Sequence, residues 1–266
     1  MSKEDNYPLT RGSISWTRIN LLQYVWRDTL GYLIHPEISR QVRDIADIAT
    51  GTGLWLCEIG NDNSYRNLHG YDISADSFID ANNLPPGVQL RAVDASKPAP
   101  EELKGQYDVV HIRLLQSVVH NDDPTWIIDH SIELLRPGGY LQWEEFDPLQ
   151  VDLHENGQAP NLAKLVEKLE TRVPGSWVSN LPATLQRYNM NIIAVDRKRE
   201  VPWHHKTVTH LCCMVFEEYA SMFLDKAGPP GSGDEMRALV SAAYEEAQRG
   251  AYASHLFQTV VAQKTK

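Results

Sequence analysis

The chain has 266 residues, 42% of them hydrophobic and 23% charged, enough for one large α/β domain with length to spare for a helical cap. With 25 basic against 35 acidic residues the net charge is −10, and no Lys/Arg cluster is present, which argues against a nucleic acid held through its phosphates. Cys57, Cys212 and Cys213 form no disulfide framework, the polar start MSKEDNYPLT lacks the apolar core of a signal peptide, and no run approaches the ~20 apolar residues that span a bilayer. A soluble cytoplasmic protein with no membrane partner is the expectation.

The first forty residues include WTRINLLQYVWRDTLGYL, aromatic-rich and expected to be helical. VRDIADI (Val42–Ile48) reads as the first strand, and the small-residue run Ala49-Thr50-Gly51-Thr52-Gly53 follows it, leading into an apolar helical stretch. LHGYDI (Leu68–Ile73), VQLRAV (Val88–Val93), YDVVHI (Tyr107–Ile112) and GYLQWEE (Gly139–Glu145) repeat the strand pattern, usually about twenty residues apart, with a helix such as Trp126–Leu135 between. That alternation predicts a parallel sheet covered by helices on both faces. Further on, IIAVDRKREV (Ile192–Val201) and HLFQTVVAQK (His255–Lys264) read as strands. Between them come a largely buried helix (Val208–Leu224), the loop AGPPGSG (Ala227–Gly233) and an amphipathic helix stopped by Gly250. The expected organisation is a single domain over 1–266: a helical cap at 1–40, a cofactor-binding half at 41–150, and a substrate-side half at 151–266 with a helical insertion at about 203–226.

A glycine turn between strand and helix lets backbone N–H groups approach a ligand closely. Here Gly51-Thr52-Gly53 is followed by Leu54, Trp55 and Leu56, so the third glycine of a dinucleotide fingerprint is missing, and no Gly-Lys-Ser/Thr of a P-loop follows. The arrangement resembles class I S-adenosylmethionine-dependent methyltransferases, which carry an acidic residue and then G-x-G-x-G. In this chain it reads Asp47-Ile48-Ala49-Thr50-Gly51-Thr52-Gly53, with Ala49 in place of the first glycine, acceptable where no positive φ is needed. The resemblance continues in register: GYDIS places Asp72 19 positions after Gly53, RAVDAS places Asp94 after the third strand, and LLRPGGYLQWEE matches the Pro-Gly-Gly turn into strand five.

The resemblance implies S-adenosylmethionine as cofactor and a Rossmann-like seven-stranded sheet, mostly parallel with the last strand antiparallel. It assigns Asp47 to the ammonium of the methionine moiety, directly or through water. Ala49, Thr50, Gly51 and Gly53 would pass beneath the methionine–ribose portion. Asp72 would accept the ribose hydroxyls, Asp94 would meet the adenine amino group, and Ile73 and Ala95 would flank the adenine. Arg113 could face the methionine carboxylate or form a surface ion pair. Asp72 and Asp94 could also simply cap helices. The opening NYPLTRGSISWTRINLLQYVW with GYLIHPEI resembles a narrower group, the fungal natural-product methyltransferases. Tyr7, Arg18 and Gln23 are its polar candidates for closing over the cofactor, solvated helix positions being the alternative.

A methyl sulfonium is already electrophilic, so the protein mainly aligns the acceptor, and a hydroxyl acceptor gains from a base near neutral pKa. His120, in SVVHNDDPTWIIDHSIELL, is the candidate. The segment resembles plant-type small-molecule O-methyltransferases, with Asn121 where their Asp would stand; a helix-entry histidine is the competing reading. Glu144 or Glu145 could orient an imidazole or bind substrate, or mark an exposed strand end. WHHKTVTHLCC lacks zinc spacing, so no metal is expected, and Trp203 with a histidine could instead contact an aromatic acceptor. The expected function is methyl transfer to a small-molecule acceptor, oxygen favoured, on an aromatic or polyketide-like metabolite. A cyclase that keeps the sulfonium intact and a non-catalytic regulatory partner are the rivals. No feature of the sequence signals an oligomeric state.

Overall fold

In chain order the elements are α1 (Ser13–Leu30), β1 (Asp44–Ile48), α2 (Leu54–Gly60), β2 (Asn67–Asp72), β3 (Val88–Ala92), β4 (Tyr107–Arg113), α3 (Thr125–Leu134) and β5 (Leu135–His154). Then follow α4 (Pro160–Arg172), α5 (Ser176–Arg187), β6 (Met190–Arg199), α6 (His205–Tyr219), a π-helical turn (Ala220–Leu224), α7 (Asp225–Ala227), α8 (Ser232–Gln248) and β7 (Tyr252–Lys264). The computed structural model describes residues 9–61, 65, 67–155, 157–172 and 175–265, with side chains in the 157–172 stretch as far as 169. Tyr7 therefore lies outside the described residues.

The strands form one sheet in the order β3-β2-β1-β4-β5-β7-β6. β1 pairs in parallel with both β2 and β4, so the chain leaves it in opposite directions along the sheet. Such a switch point opens a crevice at the carboxyl ends of the strands, where open α/β sheets bind ligands. β7 runs antiparallel between β5 and β6, as the family resemblance implies.

Burial explains which helices cover which face. Every residue of β1 is buried, so its side chains need cover above and below. On one face Trp55, Leu56 and Ile59 of α2 pack with Ile45, Leu68, Val88 and Val109. On the other, Ile127, Ile128 and Leu134 of α3 and Trp177, Val178, Leu181 and Leu185 of α5 pack with Ile48, Ile112, Leu141 and Trp143. A separate cluster joins α4, α6 and α8 through Leu162, Leu165, Phe216, Val240 and Ala243. α1 is tied to that helical part and to the sheet: Leu22, Val25 and Trp26 meet Val208 and Leu211 of α6 and Phe257 of β7.

Three elements differ from the sequence expectation. β5 runs on to His154, far beyond Glu145, because β7 pairs with it as far as Tyr252 across a bulge between Asp147 and Val151. The helices α4 and α5 occupy the stretch between the fifth and sixth expected strands, where no element is expected; α5 contains Pro182, which interrupts a helical pattern.

Candidate cofactor site

The turn after β1 is built from three left-handed residues: Ala49 at φ +57°, Gly51 at +59° and Gly53 at +83°. Contrary to the sequence expectation, the Ala49 position does need a positive φ, at a cost of about 1–2 kcal/mol for a non-glycine residue. Packing explains the requirement at Gly53, where a Cβ would lie 2.7 Å from Leu90 Cδ1 of β3. Gly70 of β2 is needed for the same close approach, since a Cβ there would lie 2.8 Å from Thr50 Oγ1. The Thr50 N–H donates to the Tyr71 carbonyl at 3.0 Å, pinning the turn against β2.

Asp72, at the end of β2, accepts the Gly51 N–H at 3.0 Å and the Ser74 N–H at 3.2 Å, one on each oxygen. Burial raises its pKa despite these bonds, so the carboxylate is poorly hydrated and still has a spare lone pair on each oxygen. Asp94 forms an Asx turn in which its Oδ1 accepts both Ser96 N–H (2.9 Å) and Ser96 Oγ–H (2.6 Å). Its Oδ2 has no hydrogen-bond partner among the described residues. Burial alone would raise its pKa, but the Ser96 hydrogen bonds outweigh this and lower it. Ile73 is 49% exposed beside Asp72, and Ala95 packs against the core beneath. A cofactor with two ribose hydroxyls, an adenine amino group and an apolar ring fits these residues.

Asp47 is sealed more tightly. It is 3% exposed, with Oδ2 accepting from Thr50 Oγ1 at 2.6 Å and Oδ1 lying 2.7 Å from His111 Nδ1. His111 is stacked on Trp55 at 3.7 Å, and its Nε2 lies 3.5 Å from Glu144 Oε2. Glu144 also accepts from Arg113 Nε at 2.7 Å and from Gln142 Nε2 at 2.6 Å. Burial alone would raise Glu144, but Arg113 and His111 hold it down at about 2. Arg113 is therefore partnered inside the protein; it also donates to Gln23 and lies over the Trp26 ring at 5.0 Å. A surface ion pair is not what it forms. Sequence reasoning passed over His111, although an ionisable residue inside the apolar strand YDVVHI was the available signal.

The cap lies directly on the turn. Asn20 of α1 accepts from Thr52 Oγ1 at 2.7 Å, and Ile19 Cγ2 is 3.7 Å from where a Gly51 Cβ would stand. Gln23 joins Arg113 to Glu58 of α2. Arg18 points elsewhere: it is 6% exposed and pairs with Glu218 of α6 at 2.8 Å, fastening the cap to the helical part. Neither residue is a solvated helix position.

His120 lies in the loop from β4 to α3 and is exposed, and its imidazole has no hydrogen-bond partner among the described residues. Glu144 and Glu145 are 0% and 1% exposed, so neither marks an exposed strand end. They face opposite sides of the sheet, and the imidazole beside Glu144 is that of His111. Trp203 is 74% exposed, and His204 pairs with Asp28 of α1 at 3.0 Å. His205 stacks on Tyr252, His210 packs edge-on to Tyr244, and Cys212 Sγ lies 3.4 Å from His255 Nε2.

Residues 46–141 match a methyltransferase-domain family, Methyltransf_12. Methyltransferase grgD of a Penicillium species is 28% identical over 236 residues, covering 82% of this chain and 81% of that protein. N-methyltransferase gliN of Aspergillus fumigatus is 25% identical over 187 residues, covering 69% of this chain and 66% of that protein. Among solved structures, Haemonchus contortus phosphoethanolamine N-methyltransferase 2 in complex with S-adenosylmethionine superposes with a TM-score of 0.52 at 14% identity, over 93% of this chain and 53% of that chain. That likeness is one of fold. Residues 46–141 thus carry an S-adenosylmethionine-dependent methyltransferase domain, in a chain similar in sequence to methyltransferases of fungi.

Proposed function

We propose that the chain methylates an oxygen of a small aromatic or polyketide-like secondary metabolite. The observation that carries the reading is the placement of the left-handed turn, Asp72 and Asp94 in succession at the carboxyl ends of β1, β2 and β3, each acid keeping unused acceptor capacity. When bound, the cofactor supplies a methyl group activated by its sulfonium charge. Asp72 holds the ribose and Asp94 the adenine amino group, while Ile73 and Ala95 close on the ring. Asp47 faces the ammonium. Arg113 still has donors beyond those used on Glu144 and Gln23, so it can reach a carboxylate without leaving either.

Support for the acceptor class comes from the aromatic cluster between the sheet and α6. Phe146, half-buried near the middle of β5, packs with Trp26 at 5.3 Å and Phe257 at 4.6 Å, an apolar wall beneath α6. Flat apolar metabolites suit such a wall. An oxygen acceptor must lose a proton, and the exposed His120, whose imidazole has no hydrogen-bond partner among the described residues, is placed to take it. A nitrogen acceptor, the kind the name of gliN states for that protein, needs no such base when neutral.

Incubation of purified protein with methyl-labelled S-adenosylmethionine and a panel of phenols and matching anilines tests the reading. The expected result is one labelled methyl on oxygen per cofactor consumed, with His120→Ala lowering kcat ~10²–10⁴-fold at nearly unchanged cofactor affinity. Methylation of the anilines alone would move the acceptor to nitrogen. Isomerised product with intact cofactor would make the enzyme a cyclase.

A further inference from the structure

The His111 imidazole is held on three sides, by Asp47 at 2.7 Å, by Glu144 at 3.5 Å and by the Trp55 ring at 3.7 Å. The residue is 1% exposed, and Nε2 makes no hydrogen bond among the described residues. Charged groups surround it from each neighbouring element: Asp47 on β1, Arg113 on β4, Glu144 on β5, with Asp72 on β2, Glu58 on α2 and Arg27 on α1 one contact further out. With the imidazole charged, Asp47, His111, Glu144 and Arg113 form a neutral buried set. With it neutral, the same four groups carry one net negative charge. Burial opposes the charged form, but Asp47 and Glu144 outweigh it and raise the pKa. A second cation at Asp47 changes that balance, because one carboxylate then serves two positive charges across a few ångströms of poorly screened interior.

We propose that His111 is a positioning residue for Asp47, and that the ammonium of S-adenosylmethionine, on binding beside Asp47, expels the Nε2 proton of His111. The Nδ1–H bond to Asp47 persists in both states, so the carboxylate stays aimed while the charge facing it is exchanged. The proton passes to the buffer, and the net negative charge it leaves behind is matched by the incoming ammonium. The inference rests on the proposed placement of the cofactor ammonium at Asp47. By linkage, cofactor affinity rises with pH, by as much as tenfold per pH unit where His111 is protonated in the free protein.

Calorimetry of the full chain in buffers of different ionisation heat counts the protons released. Two probes separate the causes: S-adenosylhomocysteine, which keeps the ammonium, and methylthioadenosine, which lacks the amino-acid portion. Release of close to one proton with the first and none with the second is expected, and His111→Gln should abolish the release. Histidine-labelled wild-type protein gives the same answer by magnetic resonance even if that variant folds poorly, since the His111 ring should move from charged to neutral on adding S-adenosylhomocysteine. A proton count of zero from pH 6 to 9, or release that survives in His111→Gln, would overturn the proposal while leaving the cofactor placement standing. The placement itself fails if Asp47→Asn binds S-adenosylhomocysteine as tightly as the wild type does, and the proposal falls with it.

Discussion

Replacing Glu145 by glutamine should cost the protein some stability at pH 5 and become favourable relative to the wild type as the pH rises toward 8. The carboxyl is 1% exposed, its Oε1 accepts from the Leu115 N–H at 2.7 Å and Trp143 Nε1 at 2.9 Å, and its Oε2 has no partner among the described residues. Burial pushes its pKa up from 4.5 to about 8. The unfolded carboxyl loses its proton near 4.5, whereas the folded one keeps it until about 8. Stability that the protonated form confers is therefore complete below the lower value and lost as pH rises through the upper one. Within that window folding takes up a proton, and each pH unit costs the wild type ~1.4 kcal/mol. The whole interval corresponds to an upper bound of ~5 kcal/mol, and relaxation of the site should reduce this to about 2–4 kcal/mol. An amide of the same shape keeps the Oε1 bonds and carries no charge. Its buried N–H groups cost ~1–2 kcal/mol at every pH, so the slope is the informative quantity. Urea unfolding of both proteins at intervals from pH 5 to 9 measures it. The stability of Glu145→Gln relative to wild type should climb by ~1 kcal/mol per pH unit and level off near pH 8. A difference that is flat with pH would refute the argument that burial holds this carboxyl protonated.

Asp72→Ala should weaken S-adenosylhomocysteine binding by about 1.5–3 kcal/mol, because charge-assisted bonds to the ribose disappear. Methylthioadenosine should lose as much, and an unchanged dissociation constant for either would remove Asp72 from the ribose site. Glu218→Gln leaves Arg18 charged and buried against α6, so unfolding free energy should fall by ~3–5 kcal/mol, the range for breaking such a pair. Hydrogen exchange should then show α1 losing protection; equal protection in variant and wild type would show that the Arg18–Glu218 pair does not hold the cap.

The candidate cofactor residues stood out in the sequence because each belongs to a short local pattern. An apolar strand followed by Thr50-Gly51-Thr52-Gly53, and strands ending in Asp72 and Asp94, can be read within a few residues, and successive parallel strands bring those ends to one edge. The π-helical turn after α6 and the length of β5 were not legible, since the first depends on packing against α8 and the second on β7, roughly a hundred residues away. The sequence could place Arg113, Glu144 and Gln23 on their elements but not against one another. Asp47 and His111 are 64 positions apart and Arg18 and Glu218 are 200 apart, so no local spacing announces either pair. Even the left-handed Ala49 stands beside a contact from outside the turn, the pinning of Thr50 to β2. Local pattern determined the glycine turn and the acids at the strand ends. Which charges face one another beneath them was decided by the tertiary structure, because a buried charge takes its state from neighbours that only folding brings within reach.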